Sequence, residues 1–167
     1  MRRCLGIAIS IILSLSILVL SACGQSQEVQ WQEQYDLGVR YLSEGNYEEA
    51  VIAFTAAIEI DPNRAEAYVG RGDAYVGSGE TEDNLAAALA DYEEAVALDE
   101  TNAAAWLGLA DVYIRQGDYD KAMEILREAL KKTGSDQSIA DKLAEMEGGT
   151  FTDSSGNIRR MSSYDGA

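Results

Sequence analysis

Three stretches of this chain repeat one another, and that periodicity restricts the possible folds more than any other feature. Aligned, they read "LGVRYLSEGNYEEAVIAFTAAIEIDPN" from Leu37, "RGDAYVGSGE" with "LAAALADYEEAVALDETN" from Arg71, and "LADVYIRQGDYDKAMEILREALKKTG" from Leu109. Each has a Tyr four residues after its first position (Tyr41, Tyr75, Tyr113) and a Gly four further on (Gly45, Gly79, Gly117). An Ala follows (Ala50, Ala88, Ala122), then a bulky residue (Phe54, Tyr92, Leu126), then a second Ala (Ala57, Ala95, Ala129). A unit of this length cannot bury its apolar face alone, so neighbouring copies must stack and share one continuous core.

Within a unit the spacing is helical. Between Asn46 and Ile60 the apolar residues Ala50, Val51, Phe54, Ala57 and Ile58 fall on one face. Gly45 and Gly117 suit helix ends, Asn46 and Asp118 can cap the helices that follow, and Asp61-Pro62 stops a helix where the unit must turn. The pattern predicts helices over 31–44, 47–60, 65–78, 85–98, 103–116 and 119–132. A seventh, capped by Ser135 or Asp136, carries Ile139, Ala140, Leu143 and Met146 on one face and ends at Gly148-Gly149. Asp141, Lys142 and Glu145 give it the polar outer side that the end of a stacked array needs.

This pattern of small and large positions resembles the tetratricopeptide repeat, which recurs at about 34 residues. The resemblance covers Trp31 to about Asp136. Leu37 to Leu109 spans 72 residues, two periods plus four, and the surplus is assigned to an insertion at Thr81–Asn84 in the turn of the second repeat. The implied fold is all-α: an α-solenoid of three helix hairpins plus a C-terminal capping helix, wound as a right-handed superhelix. The repeats are set at 31–64, 65–102 (with the insertion near 81–84) and 103–136, the capping helix at 137–147, and a flexible tail at 148–167. Within the tail, "TDSSGNIRRMSSYD" weakly resembles one unit of YD-type β-hairpin repeats, but a lone hairpin is marginal in water.

In this family the first helix of each pair lines the inner face of the superhelix. Carried over, that face consists of Gln32, Tyr35, Val39, Leu42 and Ser43, then Glu66, Val69, Asp73, Val76 and Gly77. The third repeat adds Ala104, Leu107, Asp111, Ile114 and Arg115. Members that bind chaperones hold a C-terminal carboxylate there with Lys and Asn; Tyr, Val, Asp and Leu stand in those places here, so that clamp is absent. The aliphatic stripe beside Glu66, Asp73 and Asp111 suggests a peptide or helix with apolar anchors and some positive charge. On the residues alone, the same positions serve equally as solvated or neighbour-packed surface.

The first thirty residues have a different character. Arg2 and Arg3 precede an apolar run, "LGIAISIILSLSILVL" from Leu5 to Leu20, the layout of a secretory signal. It is slightly short for a span of roughly 20 apolar residues. "LSAC" (Leu20, Ser21, Ala22, Cys23) follows and resembles the lipobox of bacterial lipoproteins. That resemblance implies a signal peptide over 1–22, removal of Cys4 with it, and a diacylglyceryl thioether on Cys23. Two or more acyl chains anchor stably where one does not. Gly24–Gln30 then reads as a flexible tether, and Gly24 permits outer-membrane sorting where an outer membrane exists.

Thirteen Lys and Arg face 29 Asp and Glu, a formal charge of −16, which repels nucleic-acid phosphates. Histidine is absent, which removes the commonest general base and metal ligand. The paired carboxylates Glu48-Glu49 and Glu93-Glu94 fall on outward helical turns, as solvated surface. The sequence reading is therefore a non-enzymatic, membrane-tethered adaptor with a protein partner, without cofactor, metal, nucleic acid or small-molecule substrate. Its alternatives are a pilotin-like or envelope-assembly factor and, further off, a carboxylate-based glycan-processing enzyme.

Overall fold

The structure, a computed structural model, describes residues 26–148, 150–152 and 158–160. The apolar segment, Cys23 and Gly24 lie outside the described residues. Helix α1 occupies 26–44. It is followed by α2 (Tyr47–Ile60), α3 (Ala65–Ser78), α4 (Glu82–Leu98), α5 (Ala103–Gln116), α6 (Tyr119–Lys132) and α7 (Gln137–Glu147). Each of α2 to α6 packs on the next, α7 packs on α6, and α3 also touches α5. Stacked hairpins with their first helices side by side are the solenoid that the repeat implies, and no strand interrupts residues 31–147.

The repeated small residues sit at the contacts. Ala50, Ala57, Ala74, Ala88, Ala95, Ala105, Ala122 and Ala129 are fully buried. The bulky position of each second helix fills the gap that they leave. Phe54 lies against Gly38 and Gly70, and Tyr92 against Gly72 and Gly108. A Cβ on Gly70 would stand 2.5 Å from the Phe54 ring, and one on Gly108 would stand 2.4 Å from the Tyr92 ring. Helix–helix contact this close needs glycine because the rings, fully buried, have nowhere to move.

The ends follow local chemistry, with corrections. Gly117 takes a left-handed φ of 81°, and Asp118 caps α6 by accepting from the Lys121 N–H at 3.0 Å. Asn46 makes no side-chain cap; its amide donates to Glu44 instead. Asp136 caps α7, accepting from the backbone of Ser138 and Ile139, while Ser135 takes a left-handed φ of 74°. Asp61 and Asp99 each fold the chain after a helix by accepting a backbone N–H two residues on.

Three expected boundaries shift. The four surplus residues do not form a longer turn: Thr81 caps α4, accepting from Asn84, and α4 reaches 17 residues against 14 in α2 and α6. Three of the four are absorbed as extra helix, because Glu82 and Asp83 suit a first turn. The tether is shorter than expected, since residues 26–30 already belong to α1. There Glu28 pairs with Arg64, whose guanidinium lies 4.1 Å over the buried Trp31 ring. Finally, the tail holds a two-stranded antiparallel hairpin, β1 (Thr150–Thr152) with β2 (Ile158–Arg160), Thr150 opposite Arg160. A free hairpin is marginal, but this one begins directly beyond α7 and lies against it.

Candidate functional site

The concave side formed by α1, α3 and α5 holds a cavity of about 250 Å³. Tyr35, Val39 and Leu42 of α1 form one wall, and Glu66, Val69, Gly70 and Asp73 of α3 form the other. Asn102 and Ala104 close it from the start of α5. Phe54 belongs to α2 and lies fully buried beneath the floor, its ring packed against the bare backbone of Gly70. Tyr35 stacks on Trp31 at 4.9 Å and meets Phe54 edge-on at 5.7 Å, so the floor is a rigid aromatic layer.

Six of the eleven sequence-assigned groove residues therefore meet at one cavity: Tyr35, Val39, Leu42, Glu66, Val69 and Asp73. The rest do not join it. Ile114 is buried at 3% exposure, a core residue rather than a groove residue. Val76 and Leu107 are half-buried and pack on the same core. Asp111 and Arg115 pair with each other, Nε to Oδ2 at 2.6 Å, and Arg115 also reaches Glu80. One helical face curves into its neighbours at its C-terminal end, so equivalent repeat positions are not equally exposed.

Electrostatically the groove is negative. Asp73 accepts a hydrogen bond from the Tyr92 hydroxyl at 2.6 Å. Water reaches this carboxylate, yet the concave surface surrounds it with protein. That burial pushes its pKa above the ordinary Asp value, against the Tyr92 hydrogen bond, and negative Asp111 adds to the rise. Burial, and then the charges of Glu66, Asp36 and Asp73, push the Tyr35 phenol up. Tyr92 is raised in the same way, by burial and then by Asp73.

A second polar cluster went unforeseen. Arg71 of α3 binds Asp91 of α4 in a fork, Nε to Oδ2 at 2.9 Å and Nη2 to Oδ1 at 2.7 Å. It also donates to Thr55 of α2 at 3.1 Å. Asp91 is 5% exposed, the single charged residue in the core among the described residues. The repeat alignment holds a signal for it: positions 71 and 91 carry Leu37 and Ala53 in the first repeat and Leu109 and Ile125 in the third. A simultaneous switch from apolar to opposite charges at two aligned positions marks a pair.

Glu48, Glu49, Glu93 and Glu94 are all exposed, as the sequence suggests. Among the described residues no group of acidic side chains is placed to hold a metal ion, and no helix is long and apolar enough to cross a membrane.

Two family models match, a tetratricopeptide repeat over residues 81–146 and a TPR repeat over 38–79. A comparison with curated proteins found no match. Among solved structures the chain is similar to the TPR2B domain of yeast Sti1 in its pHsp70 complex (23% identity, 72% of this chain and 98% of that one, TM-score 0.63). It is also similar to the second TPR domain of human RPAP3 with the HSP70 peptide SGPTIEEVD (21%, 72% and 98%, 0.62). The Sgt2 TPR domain of Aspergillus fumigatus is a third (21%, 71% and 77%, 0.62). At these identities the likeness shows the fold.

Proposed function

Because the chain is a tetratricopeptide-repeat protein, we propose that it is a non-catalytic adaptor that docks a segment of another protein in the α1–α3–α5 groove. Lipid on Cys23 would hold it at the extracytoplasmic face of a bacterial membrane. The observation that carries the groove reading is the cavity itself, an open aromatic and aliphatic floor on the concave side. Yeast Sti1 and human RPAP3 domains of this fold hold chaperone peptides, one of which ends in EEVD. The groove here is acidic, so a ligand of that charge would be repelled, and the partner differs in chemistry though not in manner of docking.

The membrane reading rests on "LSAC" after an Arg-led apolar run. Two residues, Gly24 and Gln25, separate Cys23 from the first described helical residue, a reach of at most about 10 Å over three residue steps. The Glu28–Arg64 pair and the Arg64–Trp31 stack secure that end of α1 to the α2–α3 turn. An array so mounted works close to the bilayer.

Metabolic labelling with a lipid precursor tests the anchor: wild type takes the label and Cys23→Ala does not. A photo-crosslinker tests the groove in intact membranes. Placed at Val39 it yields a protein adduct; placed at Glu49, on an outward turn, it does not. Equal adducts from both sites would overturn the groove reading.

A further inference from the structure

We propose that the cavity between α1 and α3 is a socket for one arginine or lysine side chain of the docked segment, seated beside Tyr35 between Glu66 and Asp73. This rests on the groove reading above and names the chemistry of its occupant.

The size comes first. Pockets that enclose a whole small molecule run to roughly 300–1,000 Å³. At about 250 Å³ this one is scaled to a single long side chain. Tyr35 gives its floor one accessible aromatic ring, which attracts cations, and its flanks carry carboxylates. Glu66 and Asp73 are seven residues apart on α3, two turns along one face, with Val69 and Gly70 between them. An aliphatic stem can lie on Val69 and Val39 while its charged end meets either carboxylate.

The third repeat shows what is missing in the second. Asp73 and Asp111 are the same repeat position. Four residues on, the third repeat has Arg115, which binds Asp111 and closes that part of the face. The second repeat has Gly77 there, and Tyr47 lies so close that a Cβ would stand 2.2 Å from its ring. No side chain of the protein can supply the cation from that place. Asp73 has the Tyr92 hydroxyl and Glu66 has no cationic partner among the described residues.

The wider charge distribution agrees. Over residues 26–114 there are three basic residues, Arg40, Arg64 and Arg71, against nineteen acidic ones. Arg64 is taken by Glu28 and Asp61, and Arg71 by Asp91. Arg40 lies over the Tyr41 ring. Negative potential thus gathers where the cavity opens, and a cationic segment is drawn to it.

The test uses the full-length chain in nonionic detergent and four peptides, Ac-Ala-Val-Ala-X-Ala-Val-Ala-amide, with X as Arg, Lys, citrulline or Glu. Citrulline keeps the shape of arginine and removes its charge. Amide shifts are followed by NMR during titration. The Arg and Lys peptides should move Gly38 and Gly70 and bind about tenfold more tightly than citrulline, with Glu weaker still. Asp73→Asn and Glu66→Gln should each lower Arg affinity several-fold and leave citrulline unchanged. Asp73→Asn still offers Tyr92 an acceptor, and an unchanged unfolding midpoint for Glu66→Gln provides a second, independent variant. Affinity should fall between about 50 and about 300 mM salt. Arg and citrulline binding equally in the groove would overturn the socket and leave the groove standing. Arg shifts confined to α6 would overturn the socket as well. No shift in α1 or α3 with any peptide at millimolar concentration would overturn both readings.

Discussion

The second and third helix hairpins carry the same positions and treat charge in opposite ways. The third neutralises its groove carboxylate, Asp111, with its own Arg115, and fills the matching inner positions with Leu109 and Ile125. The second leaves Asp73 open to the groove and buries a charged pair, Arg71 with Asp91, where its neighbour has only aliphatic contacts. The fold accepts Leu and Ile there, so the pair is not needed to make a repeat. Buried ion pairs often contribute little net stability relative to well-packed apolar residues. What Arg71 does supply is direction: one guanidinium ties α2, α3 and α4 together.

Converting one repeat into the other tests that difference. Arg71→Leu alone leaves Asp91 buried without its partner, and we expect a loss of about 3–5 kcal/mol in urea unfolding. Adding Asp91→Ile copies the third repeat and should return stability to within about 1 kcal/mol of wild type, or above it. If the single substitution costs less than about 1 kcal/mol, the pair is not the linchpin of this hairpin. Next in size is Gly108→Ala, whose new Cβ meets the pinned Tyr92 ring at 2.4 Å; we expect about 1–3 kcal/mol of overpacking by the same measurement. A neutral result would mean that α4 and α5 separate easily.

Smaller effects probe the groove side. Tyr92→Phe removes the donor to Asp73 and copies Phe54 of the first repeat, with an expected cost of about 1 kcal/mol. The mildest is Asp73→Asn, and its sign is informative. The native carboxyl is raised above its unfolded value, so the native state holds the proton more tightly, and stability falls as pH rises through the interval between the two values. Asp73→Asn should therefore melt slightly higher than wild type at pH 7, with the gain vanishing below about pH 4. A variant that melts lower at pH 7 would show Asp73 to be a structural group, not a strained one kept for binding.

Much of this was legible in the residues. The period, the alanines and the Gly-bounded turns place α2, α3, α5 and α6 at their observed limits, because each signal acts within a few residues of itself. At Asn46 a local competition wins: its side-chain amide donates to Glu44 and its oxygen makes no cap to α2. Thr81–Asn84 suits a turn, yet Thr followed by two acids is also a helix start, and α4 takes that second form.

By itself the amino-acid order determined that the chain forms helix pairs, how many, and that they stack, since periodicity and side-chain volume are properties of the chain read in line. Only the tertiary structure decided which groove positions stay open. Ile114 repeats the pattern of Leu42 yet turns into the core, and Phe54 supports the floor between α1 and α3 against the bare backbone of Gly70. Exposure depends on how far each helix leans on its neighbours, a quantity that belongs to the packed array and to no single repeat.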